Sequence, residues 1–95
     1  MKQRNGGVRI RDMQIKSEIR NFIIDHFLYG QDDGFGDDVS FLAKGLLDST
    51  GIIELVSFVE ERYGISLKDE ELIPENLDSI SRLSAFITRK IGDGN

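Results

Sequence analysis

Apolar residues recur along the chain in three helical stripes. Ile15, Ile19, Phe22, Ile23 and Phe27 stand at spacings of three, four and seven to eight, which predicts one amphipathic helix over about 11–29. Asp12 can cap its start and Gly30 supplies a stop. Ile52, Leu55, Val56, Val59 and Tyr63 form a second stripe, predicting a helix over 49–63. Gly64 suits a left-handed C-terminal cap there, and Arg62 complements the dipole in the last turn. Ile80, Leu83, Phe86, Ile87 and Ile91 give the third, from near Asp78 or Ser79 to a close at Arg89, Lys90 and Gly92. Ser66, three residues before Asp69, is a weak capping-box signal for a short helical turn at about 69–73, ended by Pro74. No stretch alternates with period two over strand length. The expected fold is therefore all-α: a small four-helix bundle, with three main helices, a short third one and a long first loop.

That loop, residues 30–47, contains the acidic, glycine-rich run Gln31-Asp32-Asp33-Gly34-Phe35-Gly36-Asp37-Asp38. It resembles a calcium loop only superficially. Phe35 occupies a ligand slot counted from Asp33, and no Glu follows at the required distance. A solvated acidic loop is the expectation, anchored to the core by Phe41, Leu42, Leu46 and Leu47. Loops this long in small domains are often functional. Before the first stripe, Asn5-Gly6-Gly7 interrupts a segment without apolar period. The expected division is a flexible basic arm at 1–10, one folded domain at 11–92 and a short tail at 93–95.

Composition narrows the function. A chain of 95 residues suffices for one modest core. Its 12 basic and 17 acidic residues give a net charge of −5, opposite to a nucleic-acid footprint and suited to basic protein partners. The charge is uneven: residues 1–20 carry +4 and residues 21–95 carry −9. The absence of Cys excludes a disulfide scaffold, a zinc knuckle and a thiol nucleophile. The single histidine, His26, falls at the edge of the first stripe and reads as a packing or hydrogen-bonding residue rather than a metal ligand. No base, nucleophile and orienting group can be assembled, so no enzyme is expected. No apolar run reaches the roughly 18 residues of a membrane span, and no apolar stretch backs the basic N-terminus as in a secretory signal. A cytoplasmic monomer is the default.

The informative segment is Gly45-Leu46-Leu47-Asp48-Ser49-Thr50-Gly51, where the long loop meets the second helix. The ordinary reading of Ser49 is an N-cap. A serine there also stands at the positive end of a helix dipole, where a phosphate ester is favoured. With the only histidine in another helix, Ser49 suits modification by another enzyme better than acting as a nucleophile itself.

The run Ser40-Phe41-Leu42-Ala43-Lys44-Gly45-Leu46-Leu47-Asp48-Ser49, then Ile53-Glu54-Leu55-Val56, then Val59-Glu60-Glu61-Arg62-Tyr63-Gly64-Ile65, resembles the acyl carrier proteins over about residues 13–91. The resemblance implies that Ser49 carries 4′-phosphopantetheine through a phosphodiester. Asp48 would sit beside it, serving transferase recognition and helping to position magnesium in that complex without being a resident metal site. It further implies that Thr50 and Ile53 lie beside the arm at the partner surface, and that Glu54, Glu60 and Glu61 meet basic patches on partners. Without the resemblance, those three glutamates read as a solvated helix face. Implied partners are a phosphopantetheinyl transferase, an acyl or aminoacyl ligase, and downstream synthase or transferase enzymes. Thr50-Gly51 replaces the Leu-Asp common in fatty-acid carriers, and Lys44 stands where an acidic residue is frequent. Residues 72–80 look more like stand-alone carriers outside core fatty-acid synthesis. An aminoacyl or peptidyl carrier is thus the alternative within the class, and an unmodified helical adaptor the alternative outside it.

Overall fold

The computed structural model describes the backbone of residues 2–92 and the side chains of residues 11–92. Its regular elements are all helices, with no strand among the described residues. Three long helices, α1 (Lys2–Phe27), α3 (Ser49–Tyr63) and α5 (Ile80–Gly92), form the frame. Between them lie α2 (Phe41–Lys44), a 3₁₀ turn (Asp69–Glu71) and α4 (Pro74–Leu77). The all-α bundle read from the stripes is thus the observed architecture, with two short helices more than expected.

The predicted stripes build the core. Ile15, Ile19 and Ile23 of α1 pack with Leu55 and Val59 of α3 and with Ile80, Leu83 and Ile87 of α5, all essentially inaccessible to solvent. Burying each such side chain contributes about 1.5–3 kcal/mol, so this shared core sets the helix arrangement. Among the described residues, Met13, Tyr29 and the mouth of a groove described below carry the exposed large apolar side chains.

Local details depart from the periodic reading in four places. First, α1 begins at Lys2 rather than near residue 11. Extending a helix already formed costs far less than nucleating one, so the stripe does not fix where the helix starts. Asp12 is consequently interior to the helix and caps nothing; its carboxylate accepts from Ser84 Oγ at 2.7 Å, tying α1 to α5. The side chains of the expected arm at 1–10 and the expected tail at 93–95 lie outside the described residues. Second, Pro74 opens α4 as its first helical residue instead of ending a turn, which suits a residue without an N–H to leave unpaired. Third, Ser66 does not cap the 3₁₀ turn; the backbone N–H of Lys68 donates to Glu71 Oε1 at 2.8 Å. Fourth, Leu42 does not anchor the long loop but stands 47% exposed, whereas Phe41 and Leu47 are buried as expected.

Two polar clusters lock the frame. Glu18 of α1 accepts from Arg62 at 2.6 Å and from the Tyr63 hydroxyl at 2.5 Å, joining α1 to the end of α3. The hydrogen bond from Arg62 does most to hold the Glu18 carboxyl below its ordinary value; partial burial opposes it and the Tyr63 hydroxyl adds to it. Burial, and then the hydrogen bond to Glu18, push the Tyr63 phenol well above its ordinary value. Glu71 receives both the Lys68 N–H and the nearly buried Lys90 ammonium, at 3.2 Å to each oxygen, fastening the 3₁₀ turn to α5. The Lys68 N–H contributes most to lowering the Glu71 carboxyl, against a smaller desolvation effect and ahead of Lys90.

Candidate functional site

The loop before α3 is held at three points. Arg20 donates to Phe35 O at 2.6 Å and to Asp37 Oδ1 at 2.6 Å, with its guanidinium 4.4 Å above the buried Phe35 ring. Asp32 and Asp33 accept from the backbone of Gly34 and Phe35, so these carboxylates turn the loop on itself. Ser40 caps α2 by accepting from Ala43 N and donates its own hydroxyl to Asp78 Oδ2. Asp78 also accepts from Leu42 N at 3.1 Å through Oδ1, and from Phe41 N at 3.0 Å through its backbone carbonyl. One carboxylate at the threshold of α5, 9% exposed, thereby fixes the segment that leads to Ser49.

At the junction, the N-cap is Asp48, not Ser49. Asp48 Oδ1 accepts from Gly51 N at 2.8 Å, and Ser49 is the first helical residue. This corrects the ordinary reading of the serine. An aspartate one residue earlier is an equally good cap, and its carboxylate reaches the third N–H of the helix. The Ser49 hydroxyl is exposed and takes no part in the cap. The first turn is packed: Gly51 is buried, and a Cβ added there would meet Phe27 Cε1 at 3.1 Å. Glycine at this position lets the end of α1 close against the start of α3, a requirement that outweighs its poor helix propensity.

Ser49 opens onto a groove of about 490 Å³ between α3 and the 67–78 segment. Ile52, Ile53 and Val56 line one wall; Leu72, Ile73 and Leu77 line the other. Four of the large apolar residues with substantial exposure belong to it: Ile53 at 66%, Leu42 at 47%, Leu72 at 42% and Ile73 at 40%. Ser49 stands at one end and Glu60 three turns along α3, about 16 Å away at 1.5 Å per residue.

The structure sorts the remaining predicted residues. Thr50 is exposed next to Ser49, and Ile53 is exposed at the groove rim. Glu54 and Glu61 are exposed on the neighbouring flank of α3, across the ridge of Ile53 and Ser57 and beside Phe22 and His26 of α1. Glu60 does not share their face. It is half-buried in the groove, and its Oε2 accepts from Leu67 N at 2.9 Å. His26 packs by stacking on Phe22 at 4.1 Å between ring centroids. Sequence reasoning missed Ser40 and Asp78. A serine three residues before Ala43, and an aspartate at the start of the last stripe, were the signals available.

No family model matches the chain. Curated relatives do. An acyl carrier protein of Akkermansia muciniphila is 32% identical over 81 residues, covering 85% of this chain and 98% of the relative. A D-alanyl carrier protein of Abiotrophia defectiva is 30% identical over 54 residues, 57% of this chain and 68% of the relative. A probable acyl carrier protein, PigG, of a Serratia species is 27% identical over 75 residues, 79% and 86% of the two chains. With the helical frame, the exposed serine at the head of α3 and a relative matched over nearly its whole length, the chain belongs to the acyl carrier protein family.

Proposed function

We propose that this chain carries an acyl group as a thioester on 4′-phosphopantetheine attached to Ser49, and presents it to successive partner enzymes. The observation that carries the reading is the division of labour at the head of α3. Asp48 satisfies the helix terminus, and Ser49 stands one residue on with an exposed hydroxyl. The residues fit a phosphodiester at that oxygen. The first N–H groups of a 15-residue helix point out of its end, where the dipole favours an anion. Asp48, exposed at the same end, is available for recognition by the transferase. The prosthetic group supplies a long arm ending in the thiol that a Cys-free chain lacks.

The chain's own part is to position and to be recognised. Attachment through Ser49 raises the effective concentration of the cargo at each docked enzyme. The apolar groove beside Ser49 offers cover to a hydrocarbon portion of the cargo. Exposed Glu54 and Glu61 provide rim charges for fast, salt-sensitive encounters with basic partners, and Thr50 and Ile53 provide neutral contact next to the arm. In this reading the chain has no catalytic centre of its own and works with a phosphopantetheinyl transferase, a ligase and downstream enzymes in the cytoplasm. No helix among the described residues is long and apolar enough to cross a membrane.

A second reading within the class has support from the similarity to a D-alanyl carrier protein: cargo loaded by an adenylating ligase as an aminoacyl group. Incubation with coenzyme A and a broad-specificity phosphopantetheinyl transferase, followed by intact mass measurement, tests the shared core of both. A gain of one phosphopantetheine in the wild type and none in Ser49→Ala is expected. No gain in either would return the chain to the helical-adaptor alternative. Loading the modified chain from an acyl pool against an amino-acid pool separates the two cargoes.

A further inference from the structure

Tyr29 follows α1 in a conformation that its side chain does not favour. The chain turns there through two successive left-handed residues, Tyr29 at φ +55° and Gly30 at φ +82°. Backbone hydrogen bonds fix the turn, from Gly30 N to Ile24 O and from Gln31 N to Leu28 O, each at 2.9 Å. Glycine takes this conformation freely, whereas a residue with a Cβ takes it against a steric penalty. Tyr29 is the one non-glycine residue at positive φ among the described residues. Packing does not offset the penalty, because Tyr29 is 91% exposed, more than any other large apolar residue described. An aromatic ring held in solvent on a strained backbone is accounted for by a contact outside the chain.

We infer that Tyr29 is an apolar anchor for the phosphopantetheinyl transferase that modifies Ser49, an inference that rests on the Ser49 reading. The end of α1 lies at the Ser49 end of the bundle. Phe27, two residues before Tyr29, stands against Gly51 in the first turn of α3. With Leu42, Leu46, Leu47, Asp48 and Ser49 it lines a depression of about 560 Å³. The transferase must bring its own reacting groups to the Ser49 hydroxyl. Ser49 Oγ forms a bond to the pantetheine-side phosphorus of coenzyme A, and the pyrophosphate bond at that phosphorus breaks. Adenosine 3′,5′-bisphosphate leaves, and the serine proton passes to solvent. Downstream enzymes instead meet the cargo at the length of the arm. A standard interface buries about 800 Å² per partner, a disc of about 16 Å radius, so one centred on Ser49 extends over the end of α1. There Phe27, Leu42, Leu46 and Tyr29 present apolar rather than acidic contact. Tyrosine anchors interfaces well, because its rigid ring covers a large area with few rotatable bonds to order. The partner feature that it fits is an apolar socket on the transferase.

The test follows modification of the full chain by the phosphopantetheinyl transferase of its native host with coenzyme A, read by intact mass at varied chain concentration. Tyr29→Gly releases the left-handed strain and should melt at or above the wild-type Tm. Its KM should nevertheless rise roughly tenfold at unchanged kcat, the sign of a lost docking contact. Tyr29→Phe keeps the ring and should stay within about threefold of the wild type. The tenfold ratio should persist at high salt, because an apolar contact is not screened. A purely structural role would lower Tm and leave KM in place. An unchanged KM in Tyr29→Gly, a ratio that vanishes at high salt, or a Tm below that of the wild type would overturn the inference. A wild type that gains no mass would sink the Ser49 reading and this inference with it. A modified wild type beside variants of equal KM would sink this inference alone.

Discussion

Replacing Asp48 and Ser49 in turn separates the structural from the chemical work at the head of α3. Asp48→Ala removes the acceptor of the 2.8 Å bond from Gly51 N and leaves that N–H with no side-chain cap. Losing such a cap costs about 1 kcal/mol, within a range of roughly 0.5–2. In a domain of this size, 1 kcal/mol lowers Tm by roughly 4–8 °C. Asp48→Asn keeps an acceptor in place and should cost only a few tenths of a kcal/mol. Ser49→Ala removes a hydroxyl that is exposed and outside the cap, so its stability should lie within about 0.5 kcal/mol of the wild type. Urea and thermal unfolding of the unmodified chains measure all three. Intact mass after transferase treatment gives the second axis: Asp48→Asn should still gain mass, and Ser49→Ala should not. If Ser49→Ala were destabilised as much as Asp48→Ala, serine would be the working cap and the argument for a free attachment oxygen would fail.

Three further outcomes follow from other contacts. Glu18 is held below its ordinary carboxylate value, so the unfolded chain takes up its proton first as pH falls. The stability from this cluster is present above about pH 4.5 and is lost as pH drops through the folded value; Glu18→Gln should flatten the acid limb of a stability-against-pH curve, and an unchanged limb would refute the assignment. Asp78→Ala strands the Ser40 hydroxyl and the Leu42 N–H and should cost about 2–3 kcal/mol by urea unfolding, with faster amide exchange across 40–47; wild-type exchange there would contradict the clamp. Gly51→Val gains helix propensity yet places its side chain against Phe27, so a net destabilisation of about 1–3 kcal/mol is expected, and a stabilised variant would show that α1 does not close on α3 there.

Much of the frame was legible because each long helix buries one face. Ile15, Ile19 and Ile23, then Leu55 and Val59, then Ile80, Leu83 and Ile87, announce themselves by spacing and are the core. The ends of α3 were equally readable at Gly64, which sits at φ +66° and closes the helix through its N–H to Glu60 O. What spacing does not report is how a short segment satisfies its polar groups. Four-residue helices such as α2 and α4 have no stripe. They exist because Ser40 can cap one and Pro74 can open the other, and because Asp78 is buried between them and α5. At the head of α3, the junction and the resemblance single out Ser49 as a candidate, but the neighbour that caps the helix is not distinguishable from it by position. Glu54, Glu60 and Glu61 read alike as acidic residues of one helix. A rotation of about 100° per residue turns Glu60 into the groove, where the Leu67 N–H takes it.

The most direct test of the carrier assignment is the mass of the chain purified from its native host, with fragmentation to locate any modification. The account predicts 4′-phosphopantetheine, with or without its cargo, on the peptide containing Ser49 and nowhere else. A chain recovered wholly unmodified from cells in which its partners are active, or a modification on another residue, would contradict it.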